Sequence, residues 1–467
     1  MRSPRLIWQT LAAVFVLSFA ALGWAGREIY LAAPPIPVEV VVDDGRMIYS
    51  GADISRGQQV WLAAGGQQLG SVWGHGGYVA PDWSADWLHR EALGLRAELA
   101  AQVFATPYAE LTFEQRAGID ARASAETRRN DYDADSGTLH ISSARAAAIS
   151  RVAAHYGELF GDGRALDALR EQYAMSADSV PAAADRNALT AFFFWSSWAA
   201  ATDRPGESGL SYTSNWPHEP LVDNRMTAGS AIWSIVSIVL LIAGIAGMLW
   251  YHGTLHEPAP PVAPARDPLL GARATASMLA TRKYFFVVVG ILLLQVVMGV
   301  ITAHYAVEGQ TFFSLPLGEL LPYVVSRTIH TQTGIFWIAT AWLATGLYIA
   351  PLLSGKEPAR QKLGVDLLFW ALVAIVLGST VTGWLGTLQA RGTDYAFWIG
   401  NQGLEFTSMG RVWQILLFVG LMFWLFLLGR ALWPALRRPG ETRGLIAMVF
   451  LSATCIGGFY ATSLVWG

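Results

Sequence analysis

The chain is 467 residues long, 53% apolar and 12% aromatic, with only 14% charged residues. Soluble domains carry roughly 25% charged residues, so this composition excludes an ordinary cytosolic protein and a disordered tail protein. A net charge of −3 gives no basic surface for nucleic acid, and the single cysteine, Cys455, excludes disulfide scaffolds, zinc ribbons and covalent haem attachment through C-x-x-C-H.

What remains is the pattern of an all-α polytopic membrane protein. Seven runs have the roughly 20 apolar residues that cross a bilayer: 6–24, 228–251, 284–306, 328–352, 364–388, 411–433 and 444–466. The first follows Arg2 and Arg5 and reads as an N-terminal transmembrane anchor, 1–24, or as a cleaved secretory signal. Its length, with Trp8 and Trp24 at interfacial positions, favours the anchor. Either reading exports the next segment, 25–227.

That segment is large enough to bury its own core. Pro34-Pro35-Ile36-Pro37 reads as an extended linker, and Thr112-Phe113-Glu114-Gln115 as a capping box. Turn chemistry at Asp135-Ser136-Gly137 allows a short strand or hairpin at 138–141, and 182–201 follows Pro181 as an unbroken helix. Four tryptophans and repeated glycines crowd the run from Gly57-Gln58-Gln59-Val60-Trp61 to Ala85-Asp86-Trp87-Leu88-His89-Arg90. This is a tight turn system packed under aromatics, either a binding loop or a structural plug. His75 within it has no partner His or Cys at ligand spacing.

The remaining six runs form a second region, 228–467, with Pro258–Pro264 as a linker. Basic residues cluster after alternate runs. Arg266, Arg273, Arg282 and Lys283 follow the second, Lys356, Arg360 and Lys362 the fourth, and Arg430, Arg437, Arg438 and Arg443 the sixth. The connections after the third and fifth hold only Arg327 and Arg391. This bias places the N-terminus in the cytoplasm and 25–227 outside.

Titratable residues inside spans are costly and mark candidate sites. His304 and His330 are the only histidines in or beside the apolar runs after the second. His330 sits in Arg327-Thr328-Ile329-His330-Thr331-Gln332-Thr333-Gly334. It suits an axial haem ligand, with Arg327 on the same face for a propionate and Gly334 leaving room for a flat macrocycle, or a histidine bonded to a neighbouring helix. His304, Glu308 and Phe312 follow at four-residue spacing; they suit a quinol head group, or a solvated helix end.

These residues resemble a family. Gly70–Arg90, Ser211-Tyr212-Thr213-Ser214-Asn215-Trp216-Pro217, Thr302-Ala303-His304-Tyr305 and Arg327–His330 are similar to quinol-dependent nitric oxide reductases, relatives of the haem-copper oxidases. So are Phe336-Trp337-Ile338-Ala339-Thr340-Ala341-Trp342 and Asn401-Gln402-Gly403-Leu404-Glu405…Gly410-Arg411-Val412-Trp413-Gln414, so that the likeness runs in order along nearly the whole chain. The resemblance implies a bacterial inner-membrane protein whose exported part is a mainly helical cytochrome-c-like domain without haem c, joined to the first half of an oxidase-type helical core. It also implies that His330 ligates a low-spin haem b with Arg327 near a propionate, and that His304, Glu308 and Phe312 bind quinol. Glu405, with the Gly76 carbonyl and Tyr78, would hold calcium beside the propionates, since calcium prefers oxygen ligands.

In that family a high-spin haem b and a non-haem iron, held by later histidines, reduce nitric oxide to nitrous oxide. No histidine follows His330 here. The expectation is therefore an enzyme polypeptide truncated or split at its C-terminal side, with no catalytic ligands of its own. The alternative is a non-catalytic haem b and quinol-binding subunit that needs a second chain. A transporter is disfavoured by the lack of inverted repeats. For the topology, alkaline phosphatase fused after Asp178 is expected to be active and after Arg266 inactive; the opposite pattern would overturn the orientation.

Overall fold

The computed structural model describes residues 4–254, 265, 268–311, 314–388, 391–404, 408–440 and 442–466. Helix α1 (Pro4–Leu31) precedes strands β1 (Glu39–Val42) and β2 (Met47–Ser50), then α2 (Gly51–Ala63), α3 (Trp83–Phe104) and α4 (Phe113–Arg128). Strands β3 (Tyr132–Asp133) and β4 (Thr138–Ile141), helices α5 (Ser143–Leu159), α6 (Asp167–Gln172) and α7 (Ala183–Ala201), and the pair β5 (Asp203–Arg204) and β6 (Glu207–Ser211) follow. The remainder is helical: α8 (Ala228–Thr254), α9 (Ala276–Ala280), α10 (Arg282–Glu308), α11 (Leu317–Leu320), α12 (Tyr323–Ser354), α13 (Gln361–Leu388), α14 (Thr393–Trp398), α15 (Arg411–Arg437) and α16 (Thr442–Trp466). Among the described residues seven stretches are long and apolar enough to cross a membrane, and they coincide with the seven expected runs.

Two compact units emerge. One comprises Met1–Ile54, Ser84–Val152 and Phe193–Ile235; the other Ser55–Trp83, Ala153–Phe192 and Val236–Gly467.

In the first unit the expected strand at 138–141 is an inner strand of a four-stranded sheet, ordered β2-β1-β4-β3. Strand β1 pairs antiparallel with β2 and parallel with β4, Val40 facing both Tyr49 and Leu139. Alternate residues Val40 and Val42 are buried, the period-2 pattern of a one-sided sheet. Leu95 and Leu99 of α3, Ile119 and Ala123 of α4, and Ala144 and Ala148 of α5 form an adjoining core. The capping box is present: Gln115 N donates to Thr112 Oγ1 (3.3 Å) and Thr112 N to Gln115 Oε1 (2.9 Å).

Arg145 and Glu91 form an ion pair of 2.7 Å, with 4% and 1% of their side chains exposed. Glu91 also accepts from Trp87 Nε1 at 2.8 Å. Such a pair contributes little over apolar packing, yet removing one partner strands the other charge.

In the second unit α12 packs on α10 and α15, and α15 on α13 and α16. Lipid is as apolar as leucine, so these helices associate through close packing around small residues rather than through burial from water. Gly346 and Gly364 supply the clearance: a Cβ there would lie 3.0 Å from Trp424 and 2.5 Å from Leu427. The indole of Trp424 is buried and donates to the Leu343 carbonyl at 3.0 Å. Helix α12 starts directly after Pro322, five residues ahead of the expected run, because Ser326, Arg327 and Thr328 mask its first turns in a hydropathy reading.

The buried pair makes the fold testable. Glu91→Ala is expected to destabilise the protein by about 3–5 kcal/mol by leaving Arg145 uncompensated. A lowered melting temperature of the purified chain checks this, and an unchanged one contradicts it.

Candidate functional site

His330 belongs to α12 and meets α10. Its Nδ1 lies 2.8 Å from the Gln295 carbonyl oxygen. A carbonyl can only accept, so Nδ1 carries the proton and Nε2 keeps the lone pair, the tautomer that an iron ligand requires. The ring rests against Gly299, where a Cβ would stand 2.8 Å from Cε1 and 2.9 Å from Nδ1. The residues present therefore fit an axial imidazole: one ring nitrogen is anchored, and a glycine makes space for the ring. The space beside Gly334, expected to admit a macrocycle, is taken by the Gln295 amide, whose Nε2 lies 2.7 Å from where a Cβ would be. Gln295 Oε1 accepts from Trp337 Nε1 at 2.6 Å.

Arg327, one turn earlier, donates from Nη1 to the carbonyls of Gln67 and Gln68, both at 2.9 Å. A guanidinium has five N–H groups, so these two bonds leave donors that could meet a carboxylate. The glycine-rich run containing Gln67 and Gln68 is braced from within. Asp82 Oδ2 accepts from Ser71 Oγ (2.6 Å) and Gly74 N (2.7 Å), while Ser71 Oγ accepts from Gly76 N (2.8 Å). Trp83, fully buried, meets Tyr156, Phe160 and Tyr173 edge-on, and Gly70 lies under its indole. Gly76 has φ +87° and Tyr78 is 60% exposed. The backbone of Tyr78 comes close to the Tyr323 phenol, which also neighbours Arg327.

The same run meets the segment before α15. Gln67 N donates to the Gly403 carbonyl (2.8 Å) and Gln68 Nε2 to the Leu404 carbonyl (3.3 Å). Gly66 and Gly403 interlock with positive φ: a Cβ on either would lie 2.5–2.6 Å from a backbone oxygen of the other side. Asn401 Oδ1 accepts from Gly403 N at 2.8 Å and steadies this turn.

Helix α10 continues through Glu308 and stops at Gly309, φ +78°. His304 and Glu308 therefore share a face, with His304 Nδ1 3.2 Å from Glu308 Oε2; the imidazole is 7% exposed and the carboxylate 47%. Beyond them, Glu171 accepts from Gln310 N (2.7 Å) and Gln310 Nε2 (3.1 Å), tying down the helix end. Phe312 and Glu405 lie outside the described residues. Among the described residues no group of three or more His, Cys, Asp or Glu could hold a metal ion.

Sequence reading missed Gln295 and Gly299, whose roles depend on which helix α12 meets; nothing in their own neighbourhood signals it. It also passed over Asp366 in α13, which is paired with Lys283 of α10 and with Lys362 at 2.6 Å. Here a signal was present, the i, i+4 spacing of Lys362 and Asp366.

Two family models match the chain. Residues 37–218 match the NorB cytochrome c-like domain of nitric oxide reductase, and residues 279–467 match "Cytochrome C and Quinol oxidase polypeptide I". The chain is also similar to the NorB-type polypeptide of the nitric oxide reductase of Stutzerimonas stutzeri, 26% identical over 149 residues, which is 31% of this chain and 30% of the relative. The likeness thus spans less than a third of that relative's length.

The interlocked turn can be tested against a second glycine of similar backbone. Gly403→Ala combines a left-handed φ of +62° with contacts of 2.6 Å to the Leu62 carbonyl oxygen and 2.7 Å to Gly66 N, whereas Gly392, at φ +88°, has nothing within 4 Å. Gly392→Ala should cost only the backbone strain, about 1–3 kcal/mol. Gly403→Ala should lower the melting temperature further and speed proteolysis within 66–78; equal behaviour of the two variants would contradict the interlock.

Proposed function

The chain belongs to the nitric oxide reductase type of the haem-copper oxidase family, and within that family we propose that it takes electrons from a membrane quinol and passes them through a haem b at His330 toward nitric oxide reduction. The observation that carries this reading is the arrangement on α10 and α12. An anchored imidazole seated at Gly299 and an imidazole–carboxylate pair at His304 and Glu308 lie on one helix, Gly299 and His304 five residues or roughly 8 Å apart along its axis.

Each residue then has a task. Glu308, half exposed, accepts the proton of a quinol hydroxyl, and His304 beneath it holds the carboxylate in place. His330 supplies the Nε2 lone pair, and the spare donors of Arg327 receive a propionate. The bound haem supplies one-electron relay between quinol and the reducing centre. The overall reaction joins two nitric oxide molecules with two electrons and two protons to give nitrous oxide and water. The one cysteine and the absence of a C-x-x-C-H motif favour quinol over a c-type donor haem within this chain. A calcium ion at Glu405, Tyr78 and the Gly76 carbonyl, close to Arg327, forms part of the same proposal. So does a location in the bacterial inner membrane with 25–227 on the outer side.

A second reading rests on one sequence fact. After His330 these 467 residues contain no histidine. The imidazoles of a high-spin haem and non-haem iron centre must then come from outside these residues, and this chain serves as the haem b and quinol-binding part of the catalyst.

Spectroscopy of the purified chain tests the proposal. His330→Ala should remove the bound haem b. His304→Ala and Glu308→Ala should keep the haem spectrum but slow its reduction by a soluble quinol analogue by about 10²–10⁴-fold. Haem retained in His330→Ala, or unchanged reduction in both other variants, would overturn the respective assignment.

A further inference from the structure

Glycine in the middle of a helix is unfavourable, so a helical glycine pressed against a functional side chain calls for an explanation. Gly299 has ordinary helical φ, and its lack of a side chain serves clearance alone. Its missing Cβ would stand 2.8, 2.9 and 3.6 Å from Cε1, Nδ1 and Nε2 of His330. Four residues earlier, on the same face of α10, the Gln295 carbonyl meets His330 Nδ1 at 2.8 Å.

The relation is reciprocal. Gly334, four residues after His330, receives the Gln295 amide, and Trp337 Nε1 holds that amide by its oxygen at 2.6 Å. Each helix thus sends one polar side chain into a glycine gap of the other. One turn further along, Thr302 Oγ1 donates to Ser326 Oγ at 3.3 Å and closes the seam.

We infer that Gly299 and the Gln295 backbone form a slot on α10 that holds His330 by its Nδ1 edge, so that α10 sets both the tautomer of the ring and its direction toward the iron. Both are positioning residues. The inference rests on the reading of His330 as a haem ligand, but the slot itself is a property of the protein without haem. A carbonyl acceptor on Nδ1–H raises the basicity of the coordinating nitrogen, and losing such a partner typically weakens metal binding by about 10–100-fold.

The test uses the full chain in detergent or nanodiscs. Gly299→Ala should weaken haem binding by about 10–100-fold and raise the reduction potential of what remains, because a less basic imidazole favours ferrous iron. Gly290→Ala, on the same helix with nothing within 4 Å, should match the wild type. Haem binding and potential in Gly299→Ala equal to those of Gly290→Ala would overturn the slot while leaving the ligand reading intact. Haem retained in His330→Ala would instead remove the ligand reading. Nitrogen-15 NMR of histidine-labelled, haem-free chain decides the slot in either case, and also if Gly299→Ala fails to fold. A His330 proton on Nδ1 supports the slot, and a proton on Nε2 overturns it.

Discussion

The arrangement at the centre of this molecule depends on one hydrogen bond between a ring and a backbone. A helix carbonyl normally spends its accepting capacity on the amide four residues on, and a second donor must approach from the side. His330 can do so only because α10 presents no side chain at Gly299. Close approach of the two helices, orientation of the imidazole and its protonation state are therefore one constraint. In lipid, where no water competes for Nδ1–H, such a bond is not exchanged for a solvent partner.

Around that seam the segments converge in layers. Arg327 reaches from the first turns of α12 to two consecutive carbonyls of the glycine-rich run, and that run is locked to the Gly403 turn. The run's own stiffness comes from Asp82, which gathers Ser71 and the Gly74 amide, and from Trp83 packed among three aromatic rings. Its tryptophans and glycines are structural in this sense, and they also bring the backbone of residues 67 and 68 to a cation at the membrane end of a helix.

Much of this was legible in the sequence, for physical reasons. Apolar runs of bilayer length announce themselves, and a Thr-x-x-Gln box marks a helix start locally, so the seven spans and α4 could be read directly. The spacing of His304 and Glu308 needed only that α10 continue, which it does up to the left-handed Gly309. By contrast, β1 and β2 were hidden because their partner β4 lies about a hundred residues away and the preceding prolines read as linker. Gln295 and Gly299 were hidden for the same reason: a glycine among Val, Leu and Met says nothing until the opposing helix is known. Asp366 was different, since its lysine partner at i−4 stood in plain view.

The end of α10 carries one more implication. Gly309 is left-handed at φ +78°, and a Cβ there would fall 2.1 Å from Glu171 Oε1, while the same carboxylate holds the Gln310 amide. Positions 171 and 309 are thus joined in inheritance although 138 residues separate them in the chain. A larger residue at 309 is tolerable only with a shorter one at 171, and a shorter 171 frees the turn beyond Glu308. Drift in the segment before α8 is therefore coupled to drift at the tip of α10, and homologous chains should vary at these two positions together or at neither.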